Sequence, residues 1–153
     1  MAPVQKYKDD FVLLLESGFI AASQTDEDAA VKLFRAAQLL QPENAMPKVG
    51  FGYIHLLKLE LSQACKKFEE VLKTDPHNEM ARAMLGLSTA LTVKEADKGE
   101  KILQEALKKT DDPSVKNMAS TAIEFVEKFV KKHPTPVQGQ QPAKKAKNPK
   151  KGK

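Results

Sequence analysis

The 153-residue chain has no tryptophan, and its aromatic residues amount to only 6% of the sequence, so its core must be aliphatic. It has one cysteine, Cys65, which excludes an internal disulfide and a zinc site built from a cysteine cluster. The histidines at 55, 77 and 133 show no metal-ligand spacing. No apolar run approaches the ~20 residues needed to span a bilayer, so membrane insertion is not expected. The short run at residues 11–15 follows the mixed charges Lys6, Lys8, Asp9 and Asp10. That order lacks the basic start, long apolar stretch and small-residue cleavage site of a secretory signal, so a reducing cytoplasm is the expected compartment. The sequence has no G-x-x-x-x-G-K-[ST], G-x-G-x-x-G or G-x-S-x-G. The acidic pairs Asp9-Asp10, Glu69-Glu70 and Asp111-Asp112 have no His or Arg constellation around them. No catalytic residue, metal or cofactor is therefore expected, and the chain reads as a non-enzyme.

The sequence is 41% apolar and 29% charged, enough to bury one core and remain soluble. Its net charge of +5 suggests nucleic acid until the charges are located. Of 25 basic residues, six are lysines in 133–153 (144, 145, 147, 150, 151 and 153), a stretch with no acid. That leaves 19 basic against 20 acidic residues in 1–132, a nearly neutral body. The stretch 133–153 also holds four of the nine prolines and almost no large aliphatic side chain. It cannot bury enough apolar surface to offset the entropy of ordering, and it reads as a disordered Lys/Pro-rich tail behind a domain at 1–132. The tail lacks aromatics, so base stacking is not open to it, and nucleic acid is not the expected partner.

A period is present inside the body. Gly18, Gly52 and Gly86 are each 34 residues apart, as are Ala30 and Ala64, Phe34 and Phe68, and Pro42 and Pro76. Each position has a mechanical reason. Glycine lets a second, antiparallel helix come close, at about 1 kcal/mol of helix propensity against Ala. The alanine opens the contact side of that helix, and Phe four residues later fills the gap on the same face. Proline ends the unit. In the third unit Gly99, Leu103 and Ala106 take these places one residue late, which predicts a single insertion within 91–97. The periodicity predicts seven helices, at 5–23, 26–40, 44–58, 61–74, 78–91, 95–109 and 113–132. Residues 25–28 read as an N-cap region for the second.

These residues resemble the tetratricopeptide repeat family, whose 34-residue helix–turn–helix unit carries small, aromatic and Pro positions in this order. The resemblance implies an all-α fold of three repeats in a right-handed superhelix, closed by a C-terminal capping helix. It also implies a concave groove lined by positions two, five, nine and twelve or thirteen of each unit, with the sixth nearby. Counting from Phe11, Ala45 and Glu79, the groove residues are Val12, Leu15, Phe19 and Ala22, then Met46, Val49, Tyr53, Leu56 and Leu57, then Met80, Ala83, Met84, Leu87 and Leu91. The set is almost wholly apolar, without the Lys, Arg and Asn that clamp a peptide carboxylate. It suits an amphipathic helix or an apolar segment. His55 and Cys65 read as structural residues.

A small three-repeat protein with an apolar groove and no charged clamp is similar to the bacterial type III secretion chaperones, and among them to the needle-subunit type. What that resemblance implies is a bacterial cytoplasmic chaperone. It would hold the amphipathic helix of a needle-type subunit and block premature polymerisation, beside a small helical co-chaperone. A translocator chaperone of the same system, a general scaffold and a homodimer are the alternatives.

Overall fold

The computed structural model describes residues 7–132, so the tail expected at 133–153 lies outside the described residues. Among the described residues the fold is all-α, with seven α-helices: α1 Phe11–Ser23, α2 Glu27–Leu40, α3 Met46–Leu57, α4 Leu61–Thr74, α5 Glu79–Leu91, α6 Ala96–Lys109 and α7 Pro113–Phe125. A short 3-10 turn, Lys8–Asp10, precedes α1, which begins later than the expected residue 5. The last helix does not stay α-helical to 132. It widens into a π segment, Val126–Val130, in which the Lys131 N–H donates to the Val126 carbonyl at 3.0 Å. The widened turn sets Val130 against the core and brings the Lys131 ammonium between Asp97 (2.9 Å) and Glu100.

Consecutive helices pack in order, and the odd-numbered helices also touch one another, α1 on α3, α3 on α5 and α5 on α7. This is the packing of a helical repeat: paired helices, with the first of each pair forming a shared layer. The chemistry of the pairs follows the period. The Phe34 ring occupies the space over Gly18, Phe68 that over Gly52, and Leu103 that over Gly86. Ala30 and Ala64 are fully buried, and Gly99 takes their place in the third pair with its Cα facing the Ala90 backbone. There the approach is closest, since a Cβ on Gly99 would meet the Ala90 nitrogen at 2.2 Å.

The insertion falls where the register predicts. Residues 24–26 join α1 to α2 and residues 58–60 join α3 to α4, while four residues, 92–95, join α5 to α6. In each turn one residue is left-handed: Thr25 (φ 64°), Leu59 (φ 57°) and Lys94 (φ 66°). Helix starts are also periodic. The side-chain oxygens of Asn44, Asn78 and Asp112, each 34 residues apart, accept from Met46 N, Ala81 N and Ser114 N. Asp26 caps α2 by accepting from Ala29 N at 3.1 Å. These oxygens satisfy N–H groups that the helix itself leaves open.

α7 occupies the place of the first helix of a fourth unit. Val115, Ala119, Ala122 and Val126 are buried against α5 and α6. The side that α1, α3 and α5 turn to their own partner helices carries Lys116, Asn117, Ser120, Glu124 and Glu127 in α7 and its extension, four of them exposed. The polar back closes this end of the stack.

Candidate functional site

The odd-numbered helices set matching positions side by side, and burial separates those positions. At position two Val12 is 57% exposed, while Met46 and Met80 are half-buried. At position nine Phe19, Tyr53 and Leu87 are all half-buried. At position thirteen Leu57 is 44% exposed, Leu91 half-buried and Phe125 44% exposed. These residues form a continuous apolar stripe across the shared layer. Leu15 joins it at the N-terminal end, half-buried against Phe34 and Ile54.

Five of the expected groove residues leave the stripe: Ala22, Leu56 and Ala83 are buried, and so are the larger Val49 and Met84. Val49 is fully buried and Met84 is 7% exposed, both in the cluster around Phe68 and Val71. The reason is geometric. Position six points toward the preceding pair, and position five of the inner units is covered by its own partner helix, as fully buried Ala83 also shows. None of the five side chains is available to a partner without unpacking the core.

The stripe has an aromatic centre. Phe19 meets Phe34 edge-on at a centroid distance of 5.0 Å and Tyr53 at 5.5 Å. The Tyr53 hydroxyl lies 3.1 Å from Ser23 Oγ, whose other contact is the Phe19 carbonyl at 2.9 Å. Tyr53 thus has an apolar ring in the stripe and a hydrogen-bonded, wet hydroxyl at its edge.

A second apolar surface, not anticipated from the sequence, lies at the N-terminal rim. Leu13 and Ile20 are 64% and 58% exposed. Their equivalents one, two and three units on are Pro47 and Ile54, Ala81 and Ser88, and Val115 and Ala122, all buried against the preceding pair. Before α1 the described residues supply no such pair. The signal was present in the 34-residue register, which assigns Leu13 and Ile20 to packing positions. Phe125 and Phe129, exposed and 5.2 Å apart, form a third apolar feature at the other end of the stripe.

The polar clusters outside the stripe are ion pairs and hydrogen bonds between neighbouring elements. His55 Nδ1 lies 2.6 Å from Glu60 Oε2, and Lys58 Nζ bridges Glu60 and Glu27 at 3.2 Å each. The hydrogen bond from His55, helped by Lys58, lowers the Glu60 carboxyl below its ordinary value. Cys65 is half-buried with Sγ 3.8 Å from Thr89 Oγ1, and burial pushes its thiol up, away from the reactive thiolate. Among the described residues no three His, Cys, Asp or Glu side chains converge on a metal position, and no helix is long and apolar enough to cross a membrane. In comparison with known proteins, the chain matches no family model and no curated protein sequence.

Proposed function

We propose that the chain is a tetratricopeptide-type binding module whose odd-numbered helices seat the apolar face of a partner helix. The observation that carries this is the stripe itself, in which Val12, Phe19, Met46, Tyr53, Leu57, Met80 and Leu87 keep apolar surface open to solvent. Methionines that can repack and a tyrosine wet at one end suit an amphipathic helix. If a partner covered about 500 Å² of this surface, burial would contribute about 12 kcal/mol, against roughly 4–15 kcal/mol for association.

The finer reading is a chaperone of the type III secretion needle subunit, with the translocator chaperone as its neighbour in kind. A self-polymerising subunit exposes a helical apolar face, and covering that face blocks fibre growth. On this reading a small helical co-chaperone takes the exposed rim at Leu13 and Ile20, outside the stripe. The test is to mix the purified chain one-to-one with the needle-type subunit of the same genome and follow fibre growth by light scattering. Suppressed growth supports the reading, and growth at the rate of the free subunit refutes it.

A further inference from the structure

The stripe does not run straight across the shared layer. Its middle helices, α3 and α5, are apolar at every stripe position. α1 is apolar at positions two and nine, Val12 and Phe19, but carries exposed, polar Ser23 at position thirteen. α7 is the reverse. Its positions two and nine are exposed Ser114 and Thr121, and the apolar surface moves to position thirteen, Phe125. The π segment then adds Phe129, 56% exposed, with its ring centroid 5.2 Å from that of Phe125. A straight path along position nine would end on Thr121, and one along position thirteen would start on Ser23. Only an oblique path, from the first half of α1 to the end of α7 and its extension, meets apolar side chains throughout.

The path sets the size of its occupant. Neighbouring helix axes lie roughly 8–10 Å apart, so three steps carry the path about 27 Å from α1 to α7. The shift of about eight residues along the helices adds roughly 12 Å at right angles. The track is therefore about 30 Å long, the length of a helix of about 20 residues. Charge marks one end of it. Residues 8–23 carry three exposed acids, Asp9, Asp10 and Glu16, against one basic residue, Lys8. Glu16 lies four residues from Val12 and three from Phe19, so it stands beside both on the helix surface. Around Phe125 and Phe129 the charges are mixed, Glu124 and Glu127 with Lys128, and favour neither sign.

We infer that the occupant is an amphipathic helix of about 20 residues lying obliquely across the odd-numbered helices, with a basic end on α1 and its other end on Phe125 and Phe129. The inference rests on the stripe being the helix-binding face, and adds the path, length and charge of what binds there. The experiment titrates the needle-type subunit of the same genome into the full chain by calorimetry, with circular dichroism on each variant. Phe125→Ser/Phe129→Ser should weaken binding roughly tenfold, as loss of an aromatic anchor does. Phe129→Ser alone, on the more exposed ring, should weaken it in the same direction and serves if the double variant loses helicity. Glu16→Lys should weaken binding roughly threefold or more, while Thr121→Lys should bind like wild type. Tyr53→Asp, at the centre of the stripe, is the reference. Lost binding in Tyr53→Asp with full binding in the Phe variants leaves the stripe standing and overturns the oblique path. Loss in Thr121→Lys equal to that in the Phe variants also overturns it. Full binding by Glu16→Lys overturns the basic end. Full binding by Tyr53→Asp refutes the stripe itself, and the path with it.

Discussion

Phe34 rests directly on the bare backbone of Gly18: a Cβ built there would lie 2.6 Å from Phe34 Cε1. The same ring also rests on Gly50, whose Cβ would come within 2.5 Å. Phe34 is fully buried between two helices that can approach only because both lack a side chain at the contact. Gly18→Ala should therefore destabilise the fold by about 1–3 kcal/mol through overpacking, although alanine favours helix by about 1 kcal/mol. Urea unfolding followed by circular dichroism checks this, and Gly18→Ala combined with Phe34→Leu should recover part of the loss. A raised midpoint for Gly18→Ala alone would contradict the close approach.

The capping residues separate helix starts that depend on a side chain from one that does not. Asn78→Ala and Asp112→Ala each remove an oxygen that accepts a backbone N–H, at 2.9 and 2.8 Å. Each should cost about 1 kcal/mol. Asp10 stands at the equivalent place before α1 but makes no side-chain cap, so Asp10→Ala should leave the unfolding midpoint nearly unchanged.

Glu60 gives the fold a dependence on acid. Its carboxyl is lowered from the ordinary 4.5 by the His55 hydrogen bond and by Lys58. A depressed carboxylate contributes stability that is fully present above its unfolded value and is lost as pH falls through its folded one. The thermal midpoint of wild type should therefore fall more between pH 5 and pH 3 than that of Glu60→Gln. Parallel curves would show that the His55–Glu60–Lys58 group adds nothing.

The pair geometry was legible from sequence because it depends on size alone: glycine against Phe or Leu at a fixed period, and a late Gly99 that fixes the insertion to one turn. The groove was only partly legible. Position numbers say which residues lie on the odd-numbered helices but not how far the neighbouring pair covers them. Val49 and Met84 are covered, while Val12 and Leu57 are left open. The Leu13–Ile20 rim was missed for a related reason, since a residue with packing chemistry reads as core until its exposure is seen. The π widening after Phe125 leaves no pattern in the apolar spacing, because Val126 and Val130 suit an α-helical face equally well.

The stripe is tested most directly by a substitution at its centre, on a half-buried side chain that borders the core, with the fold followed alongside binding. Tyr53→Asp places a charge between Phe19 and the half-buried methionines, whereas Leu39→Asp alters a side chain on α2 that is 76% exposed and outside the stripe. Binding of each purified variant to the needle-type subunit should be measured by titration calorimetry, with helicity followed by circular dichroism. Tyr53→Asp should weaken capture by roughly tenfold or more, as loss of an aromatic anchor does, while Leu39→Asp binds like wild type and both remain helical. Undiminished binding by a folded Tyr53→Asp protein would contradict the assignment of this face as the binding surface.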